Sequence, residues 1–178
     1  MVTGVQTCAL PIFRSVAYDT WGDGGNGSGA QTGTSTGGGG GGSISLQGVG
    51  AYDPDGGDGE HDADAPKATD GNEATYWATE DYQDPPALNG KPGVGLVLRV
   101  DGSGGIDRVV VTSNTPGFDA RIQSGDSAEG PFDDVSSSQT VGLTATFQLD
   151  GVTAKYLVVW ITTSPPGGSA HVNEVSAS

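Results

Sequence analysis

From Ser43 onward the chain is cut into short runs rich in Val, Ile, Leu and Thr, each stopped by turn-forming residues. The runs are "SISLQGVGAY" (43–52), "VGLVLRV" (94–100), "IDRVVVTS" (106–113), "DARIQSG" (119–125), "TVGLTATFQL" (140–149), "KYLVVWITT" (155–163) and "HVNEVSA" (171–177). "DGSGG", "NTPG", "GDSAEGP", "LDG" and "SPPGG" punctuate them. Gly, Pro, Asn and Asp at such points supply turn geometry, and β-branched runs between turns read as strands. No window carries helical spacing over a useful length. The pattern predicts an all-β sandwich rather than alternating β and α units. "YLVVWI" is apolar on both faces, as a central strand is, and "RVVVTS" reads as a similar inner strand. Residues 43–178 are enough for a real hydrophobic core.

The remainder of the chain is of a different kind. Residues 13–42, which include "WGDGGNGSGAQTGTSTGGGGGG", have no apolar periodicity, and Gly/Ser composition of this sort is expected to give a disordered linker. Trp21 reads as incidental there. Ahead of it, "VTGVQTCALPI" (2–12) resembles the translation of a common sequencing-adapter oligonucleotide. The expectation is an artefact over residues 1–12, with the natural protein continuing upstream of Phe13. Cys8 is the single cysteine, so the remainder has no disulfide and no cysteine metal site. The chain carries 22 acidic against 7 basic residues, a formal charge of −15. Nucleic-acid binding depends on Lys and Arg neutralising phosphates; nucleic acid and anionic membrane surfaces are therefore not expected partners.

One loop stands out chemically. "ATDGNEATYWATEDY" (68–82) gathers acids, amides and hydroxyls around Gly71 and then runs into Tyr76-Trp77. Asp70 offers a carboxylate, Gly71 permits a sharp turn, and Asn72 and Thr75 offer carbonyl or side-chain oxygens. Ca²⁺ takes about six to eight such hard oxygens. By itself the segment also reads as an Asp-Gly turn with a capping threonine and a core tryptophan.

The spacing Ala68, Asp70-Gly71, Thr75, Trp77 resembles the early loop of galactose-binding-like domains, namely the discoidin, coagulation factor type C and related carbohydrate-binding modules. "KPGVGLVLRVDGSGGIDRVVVTS" is similar to their core strands, and "VNEVSAS" to their closing strand. The resemblance spans residues 43–178 and implies a jelly-roll β-sandwich. It further implies a structural Ca²⁺ held by Asp70, Asn72, Thr75 and Glu174, with Trp77 anchoring the loop exit in the core. A preceding acidic stretch, "YDPDGGDGEHDAD" (52–64), brings Asp53, Asp55 and Asp58 near EF-hand spacing, but Gly57 stands at the third ligand position and the flanks are not helical. It reads as a solvated acidic turn or a second, looser Ca²⁺ site. His61 and His171 have no spaced partner.

Taken in order, "DPDGGDGE", "DGNEATYWATEDY", "KPGVGLVLRV" and "KYLVVWITTSPPGG…NEV" are also similar to the extracytoplasmic C-terminal domains of actinobacterial membrane proteins. Those proteins carry a serine/threonine kinase or pseudokinase inside the cell, and some are fused to lipid II flippases. This resemblance implies a domain on the extracellular face of the cell envelope, tethered to a membrane segment upstream. No kinase signature occurs in the chain, and neither a G-x-S-x-G elbow nor a histidine in a nucleophile motif points to catalysis. An enzyme is not expected. Two readings follow: a non-catalytic module for peptidoglycan or another polysaccharide, or a structural domain for a protein partner or self-association. A sugar site needs an aromatic platform with convergent polar groups. Tyr76, Tyr82, Phe118 and Phe132 are the loop aromatics available for one, and none is flanked by an arginine-amide cluster.

Overall fold

Alternating apolar and polar residues sort the strands onto two facing sheets. A computed structural model of the protein describes residues 44–56 and 59–178. The adapter-like segment 1–12, the Gly-rich segment 13–42 and Asp58 lie outside the described residues. The larger sheet orders β1 (Ser45–Tyr52), β3 (Val94–Asp101), β9 (Tyr156–Ile161) and β5 (Phe118–Gly125), with the short β6 (Asp133–Asp134) and β7 (Gln139–Val141) both on β5. The smaller sheet orders β11 (Glu174–Ala177), β4 (Ile106–Thr112) and β8 (Thr144–Val152). A third pairing joins β2 (Trp77–Ala78) to β10 (His171–Val172). All pairings are antiparallel.

Between the sheets lie Leu96 and Leu98 of β3, Val159 and Ile161 of β9, Phe118 and Ile122 of β5, Val109 and Val111 of β4, and Phe147 of β8. The all-β sandwich expected from the runs and turns is therefore the fold, and "YLVVWI" is a central strand, flanked by β3 and β5. Its outward residues Val158 and Trp160 form a second small cluster with Val97, packed by Tyr52, Phe132, Ala128 and Tyr156. Trp160 can lie over β3 because Gly95 has no side chain. A Cβ there would fall 2.3 Å from Val158 Cγ1 and 3.2 Å from Trp160 Cε3.

Four local departures from the sequence reading have physical causes. β4 is central in its sheet but buries only one face: Val109 and Val111 are buried, whereas Arg108 is exposed and Val110 and Thr112 are half-buried. The run 140–149 divides at Gly142-Leu143 into β7 and β8, which join different sheets. The run 171–177 divides at Asn173, again between two pairings. A 3-10 helix at Asp62–Thr69 has no apolar stripe to mark it in the sequence, because its buried residues are only the two alanines Ala65 and Ala68. Side chains at i and i+3 eclipse in a 3-10 helix, which suits small residues. This helix blunts the β1 edge: Gly48 N–H donates to Thr69 Oγ1 at 2.9 Å and Ala51 N–H to Asp62 Oδ1 at 2.8 Å. Edge amides capped in this way cannot template pairing with another chain.

Candidate functional site

The loop Asp70–Thr75 leaves the 3-10 helix and turns at Gly71, whose φ of 78° favours glycine. The turn aims Asn72 N–H at two carboxylates together, Asp70 Oδ1 at 2.8 Å and Glu174 Oε1 at 2.9 Å. Thr75 Oγ1 lies 3.0 and 2.8 Å from the two Asp70 oxygens and 2.8 Å from the Asn72 carbonyl. A hydroxyl has one proton, so it donates to only one of these three acceptors. The four residues named from the loop motif and the last strand are thus brought together, as oxygens outnumbering the protons between them. Hydrogen bonds from Thr75 and Asn72 hold the Asp70 carboxyl below its ordinary pKa. Burial, together with the Asp70 charge, pushes Glu174 above its ordinary value against the N–H groups of Gly71 and Asn72. Among the described residues no three His, Cys, Asp or Glu side chains cluster to hold a metal. A cation here would rest on two carboxylates plus neutral oxygens.

The loop is fastened from behind by two residues. Trp77 is fully buried and its indole N–H donates to the Glu60 carbonyl at 2.7 Å. Asn173, buried at the break between β10 and β11, donates to the Glu73 carbonyl at 2.8 Å and the Thr75 carbonyl at 3.2 Å, and accepts from Asn114 N–H at 2.9 Å. Sequence reasoning missed Asn173. Its only signal is an amide interrupting an apolar run just before Glu174.

The other acidic stretch is organised differently. Glu60 is completely buried. Tyr82 Oη donates to its Oε1 at 2.7 Å, Glu80 N–H donates to its Oε2 at 2.6 Å, and Lys91 Nζ donates to Oε1 at 2.8 Å. Lys91 also reaches Asp53 Oδ2 at 2.7 Å. Burial acts against the Lys91 ammonium, but the hydrogen bonds and charges of Asp53 and Glu60 outweigh it and hold its pKa above the ordinary lysine value. Burial and Glu60 push the Tyr82 phenol upward. Asp53 is therefore ion-paired and Asp55 is exposed on its turn.

Of the four loop aromatics, Tyr76 is the most exposed. It is 37% exposed, and its ring stacks on His171 with centroids 3.9 Å apart and planes 6° apart. Burial holds His171 below its ordinary pKa, and its Nδ1 lies 2.8 Å from Asn114 Oδ1. Beside Asn114 opens a groove of about 350 Å³ lined by Glu73, Ser113, Asn114, Leu143 and Asn173, with Leu143 67% exposed. Tyr82 and Phe118 correct the expectation of a platform. Tyr82 is buried because Glu60 needs its hydroxyl, and Phe118 because it begins β5 on the inward face. Phe132 is half-buried edge-on against Tyr52, with centroids 4.9 Å apart.

No family model and no curated protein matches this sequence. Solved structures do resemble the fold. CBM32-3 from a family 31 glycoside hydrolase from Clostridium perfringens superposes with a TM-score of 0.52 at 16% identity, covering 73% of this chain and 88% of that one. Chitosan-binding module 2, crystallised with chitotriose and derived from a Paenibacillus chitosanase/glucanase, gives 0.52 at 19% identity, covering 76% and 94%. A pectin-binding module gives 0.52 at 14%, covering 75% and 91%. The chain spans about a quarter of the length of a Ruminococcus gnavus GH29 fucosidase that it also matches, with a TM-score of 0.49 and 19% identity over 77% of this chain. The three likenesses to binding modules establish the fold as a β-sandwich like that of carbohydrate-binding modules.

Proposed function

We propose that the protein is a non-catalytic polysaccharide-binding module whose contact surface is the loop face around Tyr76. The observation that carries this reading is the exposed Tyr76 ring, held flat by His171 beside the polar groove of Asn114, Glu73 and Asn173. An immobilised aromatic face takes the C–H face of a sugar ring, and adjacent amide and carboxylate groups take its hydroxyls. The ligands of similarly folded modules, chitotriose and pectin, lend the class support by analogy of fold.

The Asp70 loop is, in the same reading, a structural Ca²⁺ site. Asp70 and Glu174 supply charge, and Asn72 and Thr75 supply neutral oxygens. A bound ion would offset the surplus of acceptors there and hold the loop that carries Tyr76. The long Gly-rich tract and the resemblance to envelope-protein domains support display outside the cell on a tether, with peptidoglycan or a related envelope polysaccharide as the ligand.

A polysaccharide and peptidoglycan binding screen tests the reading. Retention on at least one polymer is expected, reduced about tenfold or more by Tyr76→Ala with the fold intact, since truncation of an aromatic anchor at a binding site costs upward of about 1–2 kcal/mol. A blank across all polymers would leave a module for protein contacts or self-association instead.

A further inference from the structure

The turn ahead of β3 carries the one Asn-Gly pair among the described residues, Asn89-Gly90. Lys91 N–H donates to the Leu88 carbonyl at 3.0 Å, and the two residues between take φ of 52° and 87°. Positive φ at both central positions makes a type I′ turn, which Asn-Gly favours. Asn89 and Gly90 are both exposed. A Cβ placed on Gly90 would meet nothing within 4 Å, so neither a side chain of its own nor a packed neighbour crowds it.

Both flanks of this turn are fixed. Leu88 is buried in the core. Lys91 Nζ bridges Asp53 Oδ2 at 2.7 Å and Glu60 Oε1 at 2.8 Å. An open, chemically labile pair therefore lies between a core anchor and the ammonium that balances the fully buried Glu60.

We propose that Asn89 is a site of spontaneous modification: deamidation through a cyclic imide, with isoaspartate as the main product. The Gly90 backbone nitrogen gives its proton to hydroxide and attacks Asn89 Cγ. A C–N bond forms, the Cγ–Nδ2 bond breaks, and the side-chain amide takes up a proton and leaves as ammonia. Water then opens the five-membered ring. Opening at the backbone carbonyl leaves the chain running through Cγ, with one extra main-chain atom and a free α-carboxylate; opening at Cγ leaves aspartate. Only water is consumed. The Asp-Gly pairs of the chain present a carboxylate, a poorer electrophile, and that of Asp70 is further tied to Thr75 and Asn72.

The extra atom changes the span of a four-residue turn whose ends are both held. Leu88 is enclosed by the core, so the displacement falls on Lys91, and Glu60 loses part of its counter-charge. The new carboxylate also sets a third negative charge near that ammonium. Modification at an exposed turn thus loosens a buried ion pair.

The experiment stores the full chain in mildly alkaline and mildly acidic buffer and follows residue 89 by peptide mapping that separates aspartate from isoaspartate. Asn26-Gly27 of the same chain is the internal clock. Asn89 is expected to convert at a rate within about tenfold of Asn26, faster in the alkaline buffer, with isoaspartate in excess. The converted fraction should unfold at lower urea than the fresh protein. Asn89→Gln, for which attack would close a less favoured six-membered ring, should keep its urea midpoint on storage. Freshly made Asn89→Asp, which brings the charge without the extra atom, should lose less stability than the isoaspartate fraction. Asn89 left intact once Asn26 has converted, aspartate as the sole product, or an isoaspartate fraction as stable as fresh protein would each overturn the assignment.

Discussion

Two acidic segments flank the 3-10 helix, and they balance their charge in opposite ways. On one side Asp53 and Glu60 close around Lys91, with Tyr82 Oη and Glu80 N–H completing the Glu60 carboxylate and the Trp77 indole bonded to its backbone carbonyl. On the other, Asp70 and Glu174 meet over one shared N–H and one hydroxyl, with no Lys or Arg among the described residues in an ion pair with either. The first segment supplies its own cation from the chain, so it is structure. The second has acceptors and, among the described residues, no cation of its own, which is the ground for the ion proposed there. Acid count in the sequence does not separate the two; the position of a single lysine does.

Breaking the first segment should have the largest effect. Lys91→Met strands two carboxylates, one of them fully buried, and removal of one partner of such a pair is expected to destabilise by about 3–5 kcal/mol. Trp77→Ala should cost a similar amount, about 3–5 kcal/mol, through the cavity it leaves. Both losses, read from urea unfolding, should be the same with calcium or with chelator. Dependence of either on calcium would join the two segments into one site and dissolve the contrast. Tyr82→Phe is a finer cut. It removes a hydrogen bond to a charged acceptor, worth about 1.5–3 kcal/mol, and is likewise expected to ignore calcium.

The smallest effect is the most diagnostic of sign. Glu174 has a raised pKa in the fold, so the folded state holds that proton more tightly than the unfolded chain does. Its contribution to stability is fully present below the ordinary glutamate value and is lost as pH rises through the folded value. Asp70 runs the other way: its pKa is lowered, and its contribution is lost as pH falls through the folded value. At neutral pH and without calcium, Glu174→Gln should therefore melt at or slightly above the wild type. With calcium it should melt below. A melting temperature lowered equally in both conditions would show the Glu174 charge to be satisfied by the protein alone.

The strands were legible because their signal is local. Alternation within β3 and β8 and the apolar run of β9 need no distant partner to interpret. The Asp70 loop was legible for a similar reason, since four of its members lie within eight residues, and Glu174 was reached through a resemblance. What escaped depends on distant contacts. Tyr82 sits in a polar stretch, and only Glu60, 22 residues away, explains its burial. Asn173 binds Glu73 and Thr75 across about a hundred residues. His171 had no partner at any metal-ligand spacing because its partner is the ring of Tyr76.

The most direct test of the contrast is thermal unfolding of the full chain in free calcium and in chelator, on wild type and Asp70→Ala. An ion that binds only the folded state stabilises it by RT ln(1 + [Ca]/Kd), about 2.7 kcal/mol at a hundredfold excess over Kd. The account predicts a melting temperature that rises with calcium in the wild type and hardly moves in Asp70→Ala. A wild-type melting temperature indifferent to calcium and chelator alike would contradict it, and would make the Asp70 loop a turn held by Thr75 and Asn72 alone.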